Sequence, residues 1–173
     1  MTRSELAQAI KEACYLEGDF VLSSGKRSKY YLDKWRFATR PDLLREIAGA
    51  LATLLPSPPP DRLAGVELGG VPLAAAVALE TNIPYLIVRR EAKEYGTAKE
   101  VEGMMATGER VVLVEDVLTT ASQAISAGQR LRSLGLEVVR IVYVIDREEG
   151  ADSNLRAAGF EPAMLFRKSD LGI

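Results

Sequence analysis

A regular alternation of continuous apolar runs with helix-like segments, from Leu63 to the C-terminal end, is the feature that most constrains the fold. Apolar runs of this kind are typical of strands that are buried on both faces. Because a helical segment follows most of the runs, we expect the strands to lie parallel in one sheet with helices on both faces. The sequence therefore predicts an α/β fold in which ligands bind beyond the carboxyl ends of the strands.

The predicted elements of this α/β core follow one another closely. Strands are predicted over residues 63–68, 83–89, 110–116, 137–146 and 160–166. Helices are predicted over residues 71–82, 122–135 and 153–159. A polar loop over residues 89–109 interrupts the alternation, and loops of that length often act as active-site lids.

The first 60 residues do not share the alternation. Helices are predicted over residues 3–16 and 40–55, with a hairpin over residues 18–35 between them. The proline-rich break that follows is too short to separate independent domains. We therefore predict one domain over residues 1–173, in which residues 1–60 form a helix–hairpin–helix hood on a core of residues 61–173.

Composition excludes several classes of function. The chain contains no histidine, which excludes histidine-dependent acid–base catalysis and Ser-His nucleophile activation. The single cysteine, Cys14, cannot form an intrachain disulfide, and no zinc-type ligand spacing occurs. A net charge of −2 gives no reason to expect nucleic acid or an anionic membrane as a partner. Because the N-terminal segment is too charged for a signal peptide and no apolar run could span a membrane, we expect a cytoplasmic protein.

The stretch RVVLVEDVLTTASQ, residues 110–123, carries the most specific functional signal. An apolar strand leads into two adjacent carboxylates, Glu115 and Asp116, although carboxylates are costly to bury. A loop of small and hydroxyl residues then opens a helix, and its free backbone N–H groups can bind a phosphate. The acids can bind sugar hydroxyls or a divalent cation. We interpret the stretch as a sugar-phosphate site; the alternative is a helix cap beside two solvated acids.

Three further strand ends carry candidate ligand contacts. Gly69 and Gly70 permit close approach of a diphosphate, although an ordinary turn explains them equally well. Arg89, Arg90 and Lys93 open the long loop and could neutralise a diphosphate, or could belong to a solvated charged loop. Arg147 could bind a carboxylate or a ring edge, or could pair with a neighbouring glutamate.

Several of these stretches resemble a known family. VVLVEDVLTTASQ resembles the 5-phosphoribosyl 1-diphosphate motif of type I phosphoribosyltransferases. GDFVLSSGKRSKYYLD, VRREAKEYG, VIDREEG and LFRKSDLGI resemble the orotate phosphoribosyltransferases in particular, in the order and spacing of that family. The resemblance runs from about residue 18 to the C-terminal end.

The resemblance implies an activity and its partners. A phosphoribosyl group would pass from 5-phosphoribosyl 1-diphosphate to orotate, giving orotidine 5′-phosphate and diphosphate in pyrimidine biosynthesis. Mg²⁺ would be the cofactor, held mainly by substrate and water with no metal ligands from the protein. The enzyme would be a homodimer whose lid loop, residues 89–109, is shared across the interface. Neither nucleic acid nor membrane would be a partner.

The resemblance also implies roles for individual residues. Glu115 and Asp116 would bind the ribose hydroxyls, and residues 117–123 the 5-phosphate. Arg89, Arg90 and Lys93 would bind the diphosphate, with Arg89 and Lys93 serving the neighbouring subunit. The catalytic residues would be Lys93, Asp116 and Arg89. The substrate-binding set would be Lys26, Tyr30, Tyr31, Arg89, Arg90, Lys93, Tyr95, Glu115, Asp116, Val117, Leu118, Thr119, Thr120, Ala121, Ser122, Gln123 and Arg147.

The base site would lie between the hairpin and the late strand. Arg147 and Thr119 would hold orotate, and Tyr30 and Tyr31 would line the pyrimidine pocket. Two other interpretations remain: a phosphoribosyltransferase for another base such as a purine, and a non-catalytic regulator that binds nucleic acid. The hairpin and the DREEG stretch weigh against the first, and the net charge of −2 against the second.

The chain departs from the usual family pattern at four positions. Ala121 stands where many relatives have glycine, and Tyr95 where histidine is frequent. Ser23 and Gly69 stand where lysine is frequent. We expect the lost positive charge to be replaced by Lys26, Arg27 or Lys99.

Overall fold

The N-terminal part consists of helices around a two-stranded hairpin. The structure, a computed structural model, describes residues 1–22, 25, 27–91 and 99–173. The elements are α1 (Arg3–Cys14), β1 (Tyr15–Val21), β2 (Arg27–Leu32), α2 (Trp35–Ala38) and α3 (Pro41–Ala52). A capping box between Thr2 and Glu5 fixes the start of α1, and Pro41 occupies the first turn of α3, where its missing N–H costs nothing. The short helix α2 was not predicted.

A six-stranded sheet forms the rest of the fold. Its elements are β3 (Arg62–Val66), α4 (Gly70–Thr81), β4 (Tyr85–Val88), β5 (Val101–Glu102), β6 (Arg110–Leu118), α5 (Ser122–Ser133), β7 (Glu137–Asp146), α6 (Ala151–Ala157) and β8 (Pro162–Arg167). A 3₁₀ turn over Lys168–Leu171 follows. The strand order is β5-β4-β3-β6-β7-β8, and only β5 at one edge is antiparallel to its neighbour. The predicted α/β fold with a parallel sheet is confirmed.

Apolar side chains of β6 pack alternately on the two faces of the sheet. Val112 and Val114 belong to one buried cluster, which also includes residues of α1, α3 and α4. Val111 and Leu113 belong to a second cluster with residues of α5 and α6. Both faces are covered, which explains why this strand reads as a continuous apolar run.

Two predicted boundaries were wrong. The strand expected over residues 110–116 continues to Leu118, so Glu115 and Asp116 lie inside β6, where Glu115 is opposite Tyr143 of β7. The loop expected over residues 89–109 is interrupted by β5, which pairs with β4 through Val101 opposite Val88. Two residues are too few to show a strand period, and the pairing depends on the neighbouring edge rather than on local sequence.

The core assignment gives a stability prediction. Leu113 is fully buried, so Leu113→Ala is expected to lower the free energy of unfolding by about 3 kcal/mol through lost burial and a residual cavity. Urea denaturation followed by circular dichroism measures the change. Val21 is 71% exposed, and Val21→Ala serves as the control. The control should change the free energy by less than about 0.5 kcal/mol. Equal losses in the two variants would contradict the assignment.

Candidate active site

A cleft opens at the carboxyl ends of β3, β4 and β6, the edge at which parallel sheets bind ligands. The cavity of about 110 Å³ is closed on one side by the start of α2. It is lined by Lys34, Val66, Glu67, Leu68, Gly69, Arg90, Glu115, Asp116, Val117, Leu118, Thr119, Ala121, Ser122 and Gln123. The cleft therefore brings together most of the residues predicted from the stretch over residues 110–123, and adds Lys34.

Glu115 and Asp116 are almost completely buried, with 6% and 3% of their surface exposed. Burial first, and then the neighbouring charge of Asp116, raise the pKa of Glu115 to about 8, against the opposing effect of Lys34 and Arg90. Asp116 Oδ1 accepts a hydrogen bond from the Val117 N–H at 2.5 Å. Glu115 therefore holds a proton near neutral pH, and the Asp116 side chain is oriented by the backbone.

The loop between β6 and α5 presents an uncapped helix start to the cleft. Ala121 occupies the N-cap position of α5 with φ +63°, and no side chain caps the helix. The first amides of α5 are therefore available to an anion, with the exposed hydroxyls of Thr119, Thr120 and Ser122 beside them. A left-handed φ is the conformation that glycine adopts at least cost, which accounts for the glycine that relatives often have at position 121.

The turn after β3 packs directly against the acid pair. A Cβ atom at Gly69 would lie 1.7 Å from Asp116 Oδ2, and one at Gly70 would lie 2.4 Å from the Val114 carbonyl oxygen. A side chain at position 70 would meet the backbone of β6, so glycine is required there, whereas one at position 69 would displace the Asp116 carboxylate. This packing brings the backbone of the turn to the cleft wall.

The two arginines at the end of β4 have different surroundings. Arg90 lines the cleft, and its backbone N–H donates a hydrogen bond to Glu67 Oε2 at 3.3 Å. Arg89 is not among the cleft-lining residues: its Nε lies 3.1 Å from Glu102 Oε1, and its Nη1 lies 3.9 Å from Glu67 Oε1. The Arg89 guanidinium therefore lies between Glu102 and the cleft-lining Glu67.

Arg130 of α5 secures the base of the long loop. Its guanidinium donates to the carbonyl oxygens of Arg89 and Arg90, and it lies 3.7 Å from the Glu100 carboxylate. The predicted ligand contacts Lys93 and Tyr95 of this loop, and Lys26 of the hairpin, lie outside the described residues.

Arg147 and Tyr30 meet beside the cleft. Arg147 Nη2 donates to the Tyr30 hydroxyl at 3.2 Å, and the guanidinium carbon lies 5.5 Å from the centre of the Tyr30 ring. Arg147 Nε also lies 3.1 Å from Glu149 Oε1, without the geometry of a hydrogen bond. Tyr31 packs instead against Phe20, with ring centres 5.7 Å apart. Neighbouring residues of a strand point to opposite faces, so the two tyrosines contact different side chains, and their shared role at the pyrimidine stays a prediction.

A buried carboxylate that the sequence analysis missed directly precedes Arg147. Asp146 is 4% exposed and accepts hydrogen bonds from the Tyr143 hydroxyl at 3.0 Å and from the Glu148 N–H at 2.7 Å. Burial and the Asp146 charge raise the pKa of Tyr143, which keeps its hydroxyl a donor. The sequence did contain a signal for this pair: Tyr143 is a polar residue in an otherwise apolar strand, three residues before Asp146.

A further cation lies beside the acid pair. Of the residues expected to replace the lost positive charge, Arg27 and Lys99 are exposed and do not line the cleft, and Lys26 lies outside the described residues, so that replacement stays a prediction. Lys34, which the sequence analysis did not single out, places its Nζ 2.7 Å from Asp116 Oδ2. The contact joins the N-terminal part to the central strand, and no local pattern in the sequence indicates it.

The raised pKa of Glu115 predicts a pH-dependent stability. The folded protein keeps a proton on Glu115 that the unfolded chain releases, so the free energy of unfolding should fall as pH rises from about 5 to about 8. Glu115→Gln keeps the shape without the ionisable group and is expected to flatten this fall. Urea denaturation across that pH range, without substrate, measures both proteins. Parallel pH profiles of the two proteins would contradict the buried, protonated state.

Among the residues that the structure describes, no helix has the length and apolar character needed to cross a membrane.

Comparison with known proteins identifies the family. The family described as phosphoribosyl transferase domain matches residues 37–156. The orotate phosphoribosyltransferase of Natronomonas pharaonis is 46% identical over 172 residues, covering 99% of this chain and 98% of the relative. That of Halobacterium salinarum is 47% identical over 168 residues, covering 96% and 95%.

A solved structure agrees with these relatives. The Mycobacterium tuberculosis H37Rv orotate phosphoribosyltransferase, in complex with 5-phospho-alpha-D-ribosyl 1-diphosphate, has a TM-score of 0.84 at 29% identity and covers 99% of both chains. The resemblance seen in the sequence motifs is thereby confirmed along nearly the whole chain. The parallel sheet, the acid pair and the uncapped α5 thus belong to a member of the phosphoribosyltransferase family, in its orotate phosphoribosyltransferase branch.

Proposed function

We propose that this protein transfers a phosphoribosyl group from 5-phosphoribosyl 1-diphosphate to orotate, giving orotidine 5′-phosphate and diphosphate in pyrimidine biosynthesis. The observation that carries the proposal is the continuous segment from Glu115 to Ser122, which presents two carboxylates and an uncapped helix start to one cleft. A ribose 5-phosphate can use both groups, because its hydroxyls bind acids and its phosphate binds helix amides. The relatives that match along nearly the whole chain are named for this reaction.

The residues of the cleft fit the chemistry of the reaction. The amides of α5 and the hydroxyls of Thr119, Thr120 and Ser122 bind the 5-phosphate, and Glu115 and Asp116 accept hydrogen bonds from the ribose hydroxyls. Loss of diphosphate from C1 creates an oxocarbenium-like sugar and requires that the negative charge of the leaving group be neutralised. Arg90 lies at the cleft wall, where it can neutralise the leaving diphosphate.

Mg²⁺ is the proposed cofactor of this site. The ion would be held mainly by oxygens of the substrate and by water, since oxygen is the ligand type that Mg²⁺ prefers. When bound, the ion supplies charge neutralisation for the departing diphosphate. Residues 89–109 are the proposed lid that excludes water during transfer.

Orotate is proposed to bind between Arg147 and Tyr30. The Arg147 guanidinium offers a planar fork to the orotate carboxylate, and the contact between the two side chains holds that fork in place. Orotate is an anion and attacks C1 without a strong protein base, which agrees with a chain that contains no histidine. Thr119 of the phosphate loop is the proposed second contact.

The direct test is a panel of nucleobases. The protein is mixed with 5-phosphoribosyl 1-diphosphate and Mg²⁺, and orotate, uracil, adenine or hypoxanthine is added in turn while base absorbance is followed. We expect consumption of orotate alone. Consumption of a purine would establish a phosphoribosyltransferase of different specificity, and consumption of none would favour the non-catalytic regulator.

Arg147 gives a prediction for base binding. Arg147→Ala is expected to raise the KM for orotate by about 10-fold or more, because a charge-assisted contact with the carboxylate is lost. The KM for 5-phosphoribosyl 1-diphosphate should change little. Arg156→Ala, which removes an exposed arginine paired with Asp152, is the control and should leave both constants unchanged. An unchanged orotate KM in Arg147→Ala would rule out this contact.

We further propose a homodimer in which Arg89 and Lys93 serve the neighbouring subunit. Exposed apolar side chains lie on and near α4 and β4: Leu79 is 89% exposed, Met104 85% and Tyr85 38%. An apolar groove lined by Ala75, Ala78, Leu79, Ile83 and Tyr85 adjoins them. Apolar surface of this kind is typical of subunit interfaces. Arg89 does not line the cleft of its own chain, which supports a shared site.

The dimer proposal predicts the effect of a charge on this surface. Leu79→Glu is expected to shift the protein to monomers and to reduce turnover, since the shared cations would be lost. Sedimentation velocity at the assay concentration and orotate consumption measure the two effects. Leu134→Glu, at a 40% exposed leucine after α5, is the control. A fully active monomer would contradict the shared site.

A cytoplasmic location is also proposed. Phosphorylated, strongly anionic substrates do not cross membranes unaided, so the enzyme is expected to act in the cytoplasm, where its substrates are made.

Residues 1–60 are proposed to act as the hood over the site of residues 61–173, within a single domain. Support comes from the contacts of Tyr30 with Arg147 and of Lys34 with Asp116, both of which join the two parts.

A further inference from the structure

We propose that Lys34 binds the diphosphate of 5-phosphoribosyl 1-diphosphate, with its ammonium occupying the space that a side chain at position 69 would otherwise fill. The inference deepens the proposed function and rests on it for the identity of the substrate. It concerns a residue at the start of α2, outside the sheet that carries the acid pair and the phosphate loop.

The Lys34 ammonium lies close to both Asp116 and Gly69. Nζ lies 2.7 Å from Asp116 Oδ2, and it would lie 3.1 Å from a Cβ atom built on Gly69. The ammonium therefore stands at the junction of the acid pair and the turn after β3. The Trp35 ring, with its centre 5.6 Å from Nζ, lies beside it.

Position 69 does not supply this charge, because it is a glycine. A Cβ atom there would lie 1.7 Å from Asp116 Oδ2, so a side chain would require the Asp116 carboxylate and the Lys34 ammonium to move. In this chain the cation at this wall of the cleft comes from another element, because the turn after β2 places Lys34 there.

The charge balance of the cleft favours a role beyond neutralising Asp116. Among the described residues that line it, the cations are Lys34 and Arg90, and the acids are Glu67, Glu115 and Asp116. A diphosphate brings further negative charge into this space. Its binding requires cations that face the cleft, and Lys34 and Arg90 are the cations that line it in the described part of the chain.

The Lys34 ammonium retains donors for a ligand. Its contact with Asp116 Oδ2 lacks the geometry of a hydrogen bond, and its side chain is 33% exposed. An ammonium has three donors. The other oxygen of Asp116 already accepts from the Val117 N–H, so the carboxylate is oriented without Lys34. The lysine can therefore donate to a diphosphate while it stays beside Asp116.

Binding of inorganic diphosphate with Mg²⁺, measured by calorimetry, tests the inference without a nucleobase. Lys34→Gln is expected to weaken this binding by about 10-fold or more, since a charge-assisted contact is removed. Lys29→Gln is the control, because Lys29 is an exposed lysine paired with Asp19 on the hairpin, and it should bind as the unchanged protein does. If Lys34→Gln does not fold, Lys34→Met keeps the apolar stem, and the same loss is expected.

A double-mutant cycle separates direct contact from an effect through Asp116. In an Asp116→Asn background, Lys34→Gln should still weaken diphosphate binding several-fold if the ammonium contacts the diphosphate. Loss of the effect in that background would show that Lys34 only neutralises Asp116, and would overturn the inference. Unchanged binding by Lys34→Gln in the original background would overturn it as well.

The two proposals fail in different ways. If orotate is not consumed but Lys34→Gln weakens diphosphate binding, the role of Lys34 stands and the assigned base is wrong. If orotate is consumed and Lys34→Gln binds diphosphate normally, the reaction stands and the role of Lys34 is wrong.

Discussion

The site depends on the burial of two adjacent carboxylates inside the central strand. Glu115 and Asp116 lie where water is almost absent, and both cannot carry an unpaired charge there. The structure resolves the conflict unequally: the pKa of Glu115 rises to about 8, while Asp116 is held by the Val117 N–H and by Lys34. Because Lys34 belongs to the N-terminal part, the electrostatics of the core and the position of the hairpin are linked.

The sheet makes this arrangement rigid. Side chains of β6 are buried on both faces, so the strand cannot shift to relieve the charge, and α5 begins four residues after it ends. The acid pair and the phosphate-binding amides are therefore carried by one continuous segment. At the neighbouring strand end, Asp146 and Tyr143 orient the backbone around Arg147 in the same way. Preorganised groups of this kind are what stabilisation of a charged transition state requires.

Features encoded locally could be predicted from the sequence, whereas those that depend on distant contacts could not. The alternation of apolar runs and helices predicted the parallel sheet, and the stretch from Glu115 to Gln123 predicted the cleft. The pairing of β5 depends on the edge of β4, and the placement of Lys34 depends on how the hairpin packs. Neither contact leaves a periodic signal. The separation of Tyr30 from Tyr31 follows from strand alternation, but their pockets depend on packing with β7 and β1.

The most direct test of the account is ³¹P NMR of 5-phosphoribosyl 1-diphosphate, with Mg²⁺, titrated with the protein. The three phosphorus resonances report separately on the 5-phosphate and on the two groups of the diphosphate. The account predicts that all three shift or broaden together at one stoichiometric site, because α5 and the Glu67–Gly69 turn face the same cleft. Perturbation of the diphosphate alone, with the 5-phosphate unaffected, would contradict the assignment of the loop before α5.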